Sequence, residues 1–289
     1  MKAPAFRYAR PATVEEALAL LAAHGEDAAV LAGGQSLLAA LNMRLASPAL
    51  LIDINRLTPL AGIEERGEAL RIGALTRHAE VAASPLVARH APLIALAMPH
   101  VAHVAVRNRG TFGGSLALAD PAAELPACAV ALGARLVLQS VRGRRTVPAE
   151  AFFKDLYTTD RAADELLVEI EIPKRAAWRV GFGELSRRQG DFAVVGLAAA
   201  AEMAGGAIRE LRLVYFGAES HARLASHAAE AARGRPLDRA TAAAVADALD
   251  RDLKPMGSLQ GRPDTKLHLA KVLTRRVLTD LATPQRAAA

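Results

Sequence analysis

Two short stretches carry most of the chain's visible chemistry. The first, AGGQSLL, sets Ala32, Gly33 and Gly34 before Gln35, Ser36 and Leu37. The second, GTFGGS, sets Gly110, Thr111 and Phe112 before Gly113, Gly114 and Ser115. Paired glycines let backbone amides approach an anion with no side chain in the way, and nearby hydroxyls add neutral donors. A helix beginning after the first loop adds unpaired N–H groups and a partial positive charge. One such loop can simply turn a corner. Two of them, converging from separate parts of a chain, would wrap both phosphates of a dinucleotide. Just beyond, ADPAAELPA places Asp120 before Pro121, an N-cap followed by a first helical residue. Glu124 follows one turn later on the same face, so one carboxylate can cap while the other accepts from a ligand hydroxyl or ring N–H.

A Rossmann site is the competing reading of the first loop, because Asp53 lies twenty residues after Gly33 at a strand end. The spacing argues against it. G-x-G-x-x-G needs three small residues, and GGQSLL supplies Ser36 and Leu38 where the later ones should fall. Asp53 is then a strand-end residue ordering a turn. Cys128 is the single cysteine, so the chain cannot form an internal disulfide or a cysteine-ligated cluster.

These loops need elements to hold them. PATVEEALALLAAHG carries a Thr13–Glu16 capping box and a stop at Gly25. DAAVLAGG is expected as a buried strand, QSLLAALNMRL as a helix ending before Pro48, and ALLIDI as a second strand. From Gly62 come two short strands about a polar turn, then helices through RHAEVAASPLVARH and PLIALAMPHVA. Strands resume at RLVLQS, RRTVPA and ELLVEIEIP, with VRGRRTV as a solvated hairpin tip. GFGELSRRQGDFAVVGLAAAAEMAGGAIRELRLVYFGA predicts three antiparallel strands with a tight turn at Gly205–Gly206, and the remainder is helical.

The expected organisation is an α+β domain over residues 1–175, with parts at about 1–55 and 56–175, then a smaller domain over 176–282 and a mobile tail at 283–289. Hydrophobic residues make up 52% of the 289 and aromatics 4%, so the core is aliphatic. A net charge of +6 suits a nucleic acid, an acidic protein or an acidic ligand equally. With no secretory signal and no transmembrane segment in the sequence, a soluble cytoplasmic protein is expected.

In order, AGGQSLL, RNRGTFGGSLALADPAAELPA, LLVEIEIP and SRRQGDFAVVG resemble the FAD-binding medium subunit of the molybdenum hydroxylases, the family of xanthine dehydrogenase and carbon monoxide dehydrogenase. The resemblance spans nearly the whole chain. It implies a two-part FAD-binding domain of the vanillyl-alcohol-oxidase/PCMH type, followed by a three-stranded antiparallel sheet with a helical cluster. It implies that Ala32, Gly33, Gly34, Gln35, Ser36 and Leu37, with Thr111, Phe112, Gly113, Gly114 and Ser115, hold a non-covalent FAD around its diphosphate. Asp120 and Glu124 belong to the same site, Glu124 standing where the family has an aspartate near the flavin or ribityl chain. Leu167 falls where an apolar residue touches the ring. Arg188, Asp191 and Phe192 fall where the C-terminal domain comes over the isoalloxazine.

Departures alter the expected polarity around the ring. Gly183 occupies a position where some members carry lysine, and Leu118 replaces a frequent histidine. The lack of a cysteine cluster argues against the benzoyl-CoA reductase branch, and neither His103 nor Cys128 is expected to anchor the flavin covalently.

The resemblance implies an electron-transfer subunit. A large subunit would carry the molybdopterin and perform substrate chemistry, a small subunit would relay electrons through [2Fe–2S] clusters, and the whole would be a dimer of heterotrimers. This chain then orients and tunes its flavin, with no catalytic residue and no metal ligand of its own. Its acceptor stays open among quinone, cytochrome, oxygen and NAD. The alternative is an autonomous FAD-dependent oxidase or dehydrogenase, for which His100 and His103 would be the candidate bases. A nucleic-acid-binding module would need clustered arginines and aromatics that the sequence lacks.

Overall fold

The computed structural model describes residues 2–175 and 177–282, so the expected tail at 283–289 lies outside the described residues. Its first elements follow from local chemistry. The Thr13 hydroxyl accepts from the Glu16 amide at 3.1 Å, and the Glu16 carboxylate accepts from the Ala12 amide at 2.7 Å. Helix α1 (Val14–His24) starts there and ends at Gly25, whose φ of +50° suits glycine. Strands β1 (Arg7–Ala9), β2 (Ala28–Leu31) and β3 (Leu50–Asp53) form a parallel sheet in the order β1-β3-β2, with α2 (Leu37–Asn42) crossing between the last two. This ordering corrects two expectations. β2 is half-buried because it is an edge strand, and β3 takes the buried centre. α2 spans only six residues, so its dipole adds less than the longer expected helix would.

A five-stranded antiparallel sheet follows. β4 (Ile63–Arg66) and β5 (Ala69–Gly73) form a hairpin; α3 (His78–Ala83), α4 (Pro85–His90), α5 (Pro92–Ala97), α6 (Val104–Arg107), α7 (Phe112–Leu118) and α8 (Glu124–Leu132) come next. The chain then makes β6 (Arg135–Ser140), β7 (Gly143–Pro148), the short α9 (Ala149–Phe152), a small hairpin of β8 (Phe153–Asp155) and β9 (Thr158–Thr159), and β10 (Leu166–Pro173). β10 inserts between β5 and β6 as the buried central strand. A bulge between Leu167 and Glu169 sets its phase: Leu167 joins the core under α5, α7 and α8, while Leu166 and Val168 face the core shared with α1 and β3. The arginine hairpin is exposed, as expected, and its charges are paired. Arg145 binds Glu165 at 2.6 Å and Asp160 at 2.7 Å, and Arg142 pairs with Asp164.

The C-terminal sheet comprises β11 (Trp178–Ser186), β12 (Ala193–Ala204), β13 (Ala207–Phe216) and a two-residue β14 (Arg223–Leu224), one strand more than expected. Helices α10 (Ser226–Glu230), α11 (Arg239–Ala248) and α12 (Pro263–Ala282) follow. Gly181 and Gly183 face Val277, Leu281 and Leu273 of α12. Alternation turns Val180, Phe182 and Glu184 to the opposite face, which packs on α5 and α8. Arg212 of β13 donates to the last carbonyls of α8, Val130 at 3.0 Å and Ala131 at 3.1 Å, and the Gly217 amide donates to Pro121 at 2.7 Å. The sheet thus holds α8 near both of its ends.

Gly196 makes this packing possible, since a Cβ there would overlap the fully buried Phe216 ring. Gly196→Ala should destabilise the chain by roughly 1–3 kcal/mol through overpacking. Urea unfolding checks this, and adding Phe216→Leu should return part of the loss; an unchanged midpoint for the single variant would refute the packing argument.

Candidate functional site

The two glycine loops meet. A Cβ on Gly33 would collide with the Arg109 carbonyl oxygen and lie 2.7 Å from the Gly110 Cα, so the backbones pack with no side chain between them. Two polar side chains stitch the contact. Asn55 Nδ2 donates to the Ala32 carbonyl at 2.7 Å and to Asp53 at 2.7 Å, while Arg77 donates to the Asn55 Oδ1 at 2.8 Å and also to the Arg109 carbonyl. Asp53 orders this turn, accepting also from Tyr8 at 2.5 Å and from the Asn55 amide at 2.9 Å. Those bonds hold its carboxyl below the ordinary aspartate range despite its partial burial, which opposes them.

The loops are unequal. In the second, the Phe112 amide donates to Thr76, Gly113 to Ala74, Gly114 to the Thr111 hydroxyl and Ser115 to the Thr111 carbonyl. Thr111 is thereby the N-cap of α7, with its hydroxyl engaged. Phe112 points into the core, and Gly113 is small because its Cβ would lie 2.7 Å from the Ala74 Cα. These amides are thus engaged within the chain, in contrast to the expected symmetric pair of open loops. In the first loop, the amides of Gly33, Gly34, Gln35, Ser36 and Leu37 have no acceptor among the described residues. Gly34 sits at φ +74°, Gln35 Nε2 donates to the Gly33 carbonyl at 3.1 Å, and the Ser36 hydroxyl makes no cap bond. Adjacent unengaged amides at a turn form a concavity for anions, and an FAD diphosphate fits that donor set.

Asp120 departs from its expected role. α8 begins at Glu124 with Ala123 as its N-cap; Asp120 instead orders the preceding turn, accepting from the Ala122 amide at 2.9 Å and from the Tyr157 hydroxyl at 3.3 Å. The reason is that Pro121 and Ala122 form a turn in place of a first helical turn. Burial raises the carboxyl pKa of Asp120, and that of Glu124 to about 7, with the Asp120 charge adding to the second shift. Leu167 is buried in β10 among core residues.

From the C-terminal side, the β11–β12 loop presents Arg188, Asp191 and Phe192, all exposed. Phe192 is 60% exposed, so it is no inward strand residue. Gly190, at φ +78°, packs against His103 and the Ala102 carbonyl, where a Cβ would lie 2.9–3.0 Å from either. A side chain at position 183 would enter α12 between Leu273 and Val277. Polarity toward the interface is set instead by Glu184, whose side chain is 2% exposed and 3.7 Å from His100 Nδ1.

Asn55, Arg77, His78, Tyr157 and Glu184 make contacts around the site that sequence reasoning missed. Only Asn55 left a signal, the D-I-N turn after a strand; the others depend on long-range packing. His78 braces the second loop: its Nε2–H donates to the Thr111 carbonyl at 2.9 Å, and its Nδ1 is buried without a partner. Burial lowers its pKa from 6.5 to about 4.

Because the folded state resists protonation, this histidine's contribution to stability is complete above pH 6.5 and declines as pH falls toward 4. The loss is on the order of 3 kcal/mol. Urea midpoints between pH 7 and 4 should therefore fall less steeply in His78→Gln than in the parent, and parallel curves would refute the burial argument.

Over residues 4–175 the chain matches the FAD binding domain in molybdopterin dehydrogenase, and over residues 181–281 the CO dehydrogenase flavoprotein C-terminal domain. It is 39% identical to the nicotine 6-hydroxylase medium subunit of Paenarthrobacter nicotinovorans, across 97% of this chain and 98% of that one. Among solved structures, quinoline 2-oxidoreductase from Pseudomonas putida 86 superposes with a TM-score of 0.93 at 40% identity, covering 98% of both chains. Carbon monoxide dehydrogenase from Hydrogenophaga pseudoflava, in a form lacking the Mo-pyranopterin moiety of its molybdenum cofactor, gives 0.93 at 39% identity over 96% of this chain and 97% of that one. With both domain families matched in order and relatives aligned end to end, the chain belongs to the FAD-binding medium subunits of the molybdenum hydroxylases.

Proposed function

We propose that this chain takes electrons from [2Fe–2S] clusters on a small partner subunit and passes them through FAD to an external acceptor, while a large subunit holds the molybdopterin. The supporting observation is the run of five unengaged amides at residues 33–37, fixed in place by the backbone contact at Gly33. In this reading the FAD-binding unit comprises residues 1–175, and residues 176–282 close over the cleft. Gly33, Gly34, Gln35, Ser36 and Leu37 cradle the diphosphate, with Ala32 and Gly114 lining the contact between the loops. Glu124, Asp120 and Ser115 face the sugar or ribityl hydroxyls, Leu167 supports the ring from the core, and Arg188, Asp191 and Phe192 approach it from the β11–β12 loop. Leu38, Met43 and Leu45, exposed along and beyond α2, suit docking of the iron–sulfur subunit. Six assembled chains, as two heterotrimers, form the working complex.

Gly33→Ala tests the cradle. The added methyl separates the loops, so FAD bound per chain should fall at least about tenfold while circular dichroism stays close to that of the parent. Full FAD content in the variant would refute the site. Native purification should yield three polypeptides with flavin, iron and molybdenum. A lone chain turning over small alcohols, amines or aldehydes by itself would favour the autonomous oxidase instead.

A further inference from the structure

The inter-domain face of β11 holds an acid that packing does not explain. Glu184 lies opposite Gly196, with its side chain 2% exposed and its Oε2 without a hydrogen-bond partner. A buried carboxylate with no donor costs several kcal/mol, so the group is held as the neutral acid. Burial, reinforced by the charge of Glu124, raises its pKa to about 8. The groups that face it differ by element. α8 contributes Glu124, the segment after α5 contributes His100, β12 contributes only Gly196, and α12 lies on the other face behind Gly183. Among the described residues no lysine or arginine pairs with Glu184. His100 Nδ1 stands 3.7 Å from Oε2, just beyond hydrogen-bond range, and its ring packs 5.0 Å from Phe182, which stacks on Phe216. The His100 side chain is 43% exposed, so one ring reaches both the buried acid and water.

We propose that Glu184 is a proton donor for the flavin cleft, reloaded from solvent through His100. The proposal rests on reading that cleft as the FAD site. Iron–sulfur donors deliver electrons singly and without protons, whereas full reduction follows FAD + 2e⁻ + 2H⁺ → FADH₂. Each proton leaves the Glu184 carboxyl, which becomes a carboxylate and is reprotonated from water by way of the His100 imidazole. One carboxyl reloaded between electrons therefore serves both transfers. Burial keeps the acid protonated at neutral pH, and the nearby charge of Glu124 adds to that effect.

The test uses the full chain with bound FAD, reduced by the methyl viologen radical cation, a one-electron donor that carries no proton; two equivalents supply the two electrons. FAD content is measured first, then the reduction rate from pH 6 to 9 and proton uptake with an indicator dye. In the parent the rate should fall about tenfold between pH 7 and 9, following loss of the acid. Glu184→Gln should bind FAD normally, reduce it at least about tenfold more slowly at pH 7 with a flat pH profile, and recover with added imidazole. Glu184→Asp should restore a pH-dependent rate. In the FAD-free chain at pH 7, the infrared C=O absorption of a buried carboxylic acid should be present in the parent and absent from Glu184→Gln. A Glu184→Gln chain with bound FAD and the parental rate and profile overturns the proton-donor assignment and leaves the FAD site standing. A chain that binds no FAD overturns both.

Discussion

The close backbone contact of Gly33 with Arg109 and Gly110 is the constraint on which the site depends. The first loop belongs to the parallel sheet of residues 7–53, the second to the helical layer over the antiparallel sheet. Among the described residues, no sheet pairing joins those two layers. What fixes their relative position near the cleft is a glycine narrow enough for carbonyl contact, together with Asn55 and Arg77, which satisfy the carbonyls that the contact would otherwise strand. Any side chain at position 33 would disturb both loops at once.

This contact also explains why the glycine loops share a look but not a role. The second must cap α7 and pair with residues 74–76, so its amides are satisfied before any ligand arrives. It serves as the platform. The first rests on that platform and keeps its own amides unengaged, which pre-organises donors without flexible side chains. Two loops of similar composition thus differ in which amides are engaged, and the difference follows from which neighbour each one meets.

Much of this was legible in local chemistry. The Thr13 cap, the Gly25 stop, the Gly205–Gly206 turn and the antiparallel succession of β11 to β13 depend on near neighbours, and they stand as sequence reasoning placed them. The comparisons likewise support the family that the ordered motifs suggested. What was illegible depends on distant partners. β1 is three residues whose pairing lies on β3, and the β10 bulge is visible only against β6. Asp120 followed by proline carries a helix-start signal, yet Tyr157 and the Ala122 amide take its carboxylate and the helix begins four residues later. Position 183 drew attention through a missing lysine, but strand phase directs its side chain into α12 and hands the interface to position 184. A glycine gave no hint of the acid beside it.

Three buried groups around the second loop and the domain interface share one electrostatic character, whereas Asp53 and Arg77 at the loop contact carry charge. His78 is neutral because burial lowers its pKa to about 4, Glu184 is neutral because burial raises its pKa to about 8, and Glu124 at about 7 is half protonated at neutrality. The net charge of +6 is therefore no guide to the charge inside the cleft. In such an interior, amide dipoles act on an anion with less screening than at the surface. The same neutrality suits a redox site fed by single electrons. Charge added to such an interior is costly unless a proton follows it, so acids held protonated beside the cleft have a reason to be there that core packing alone does not provide.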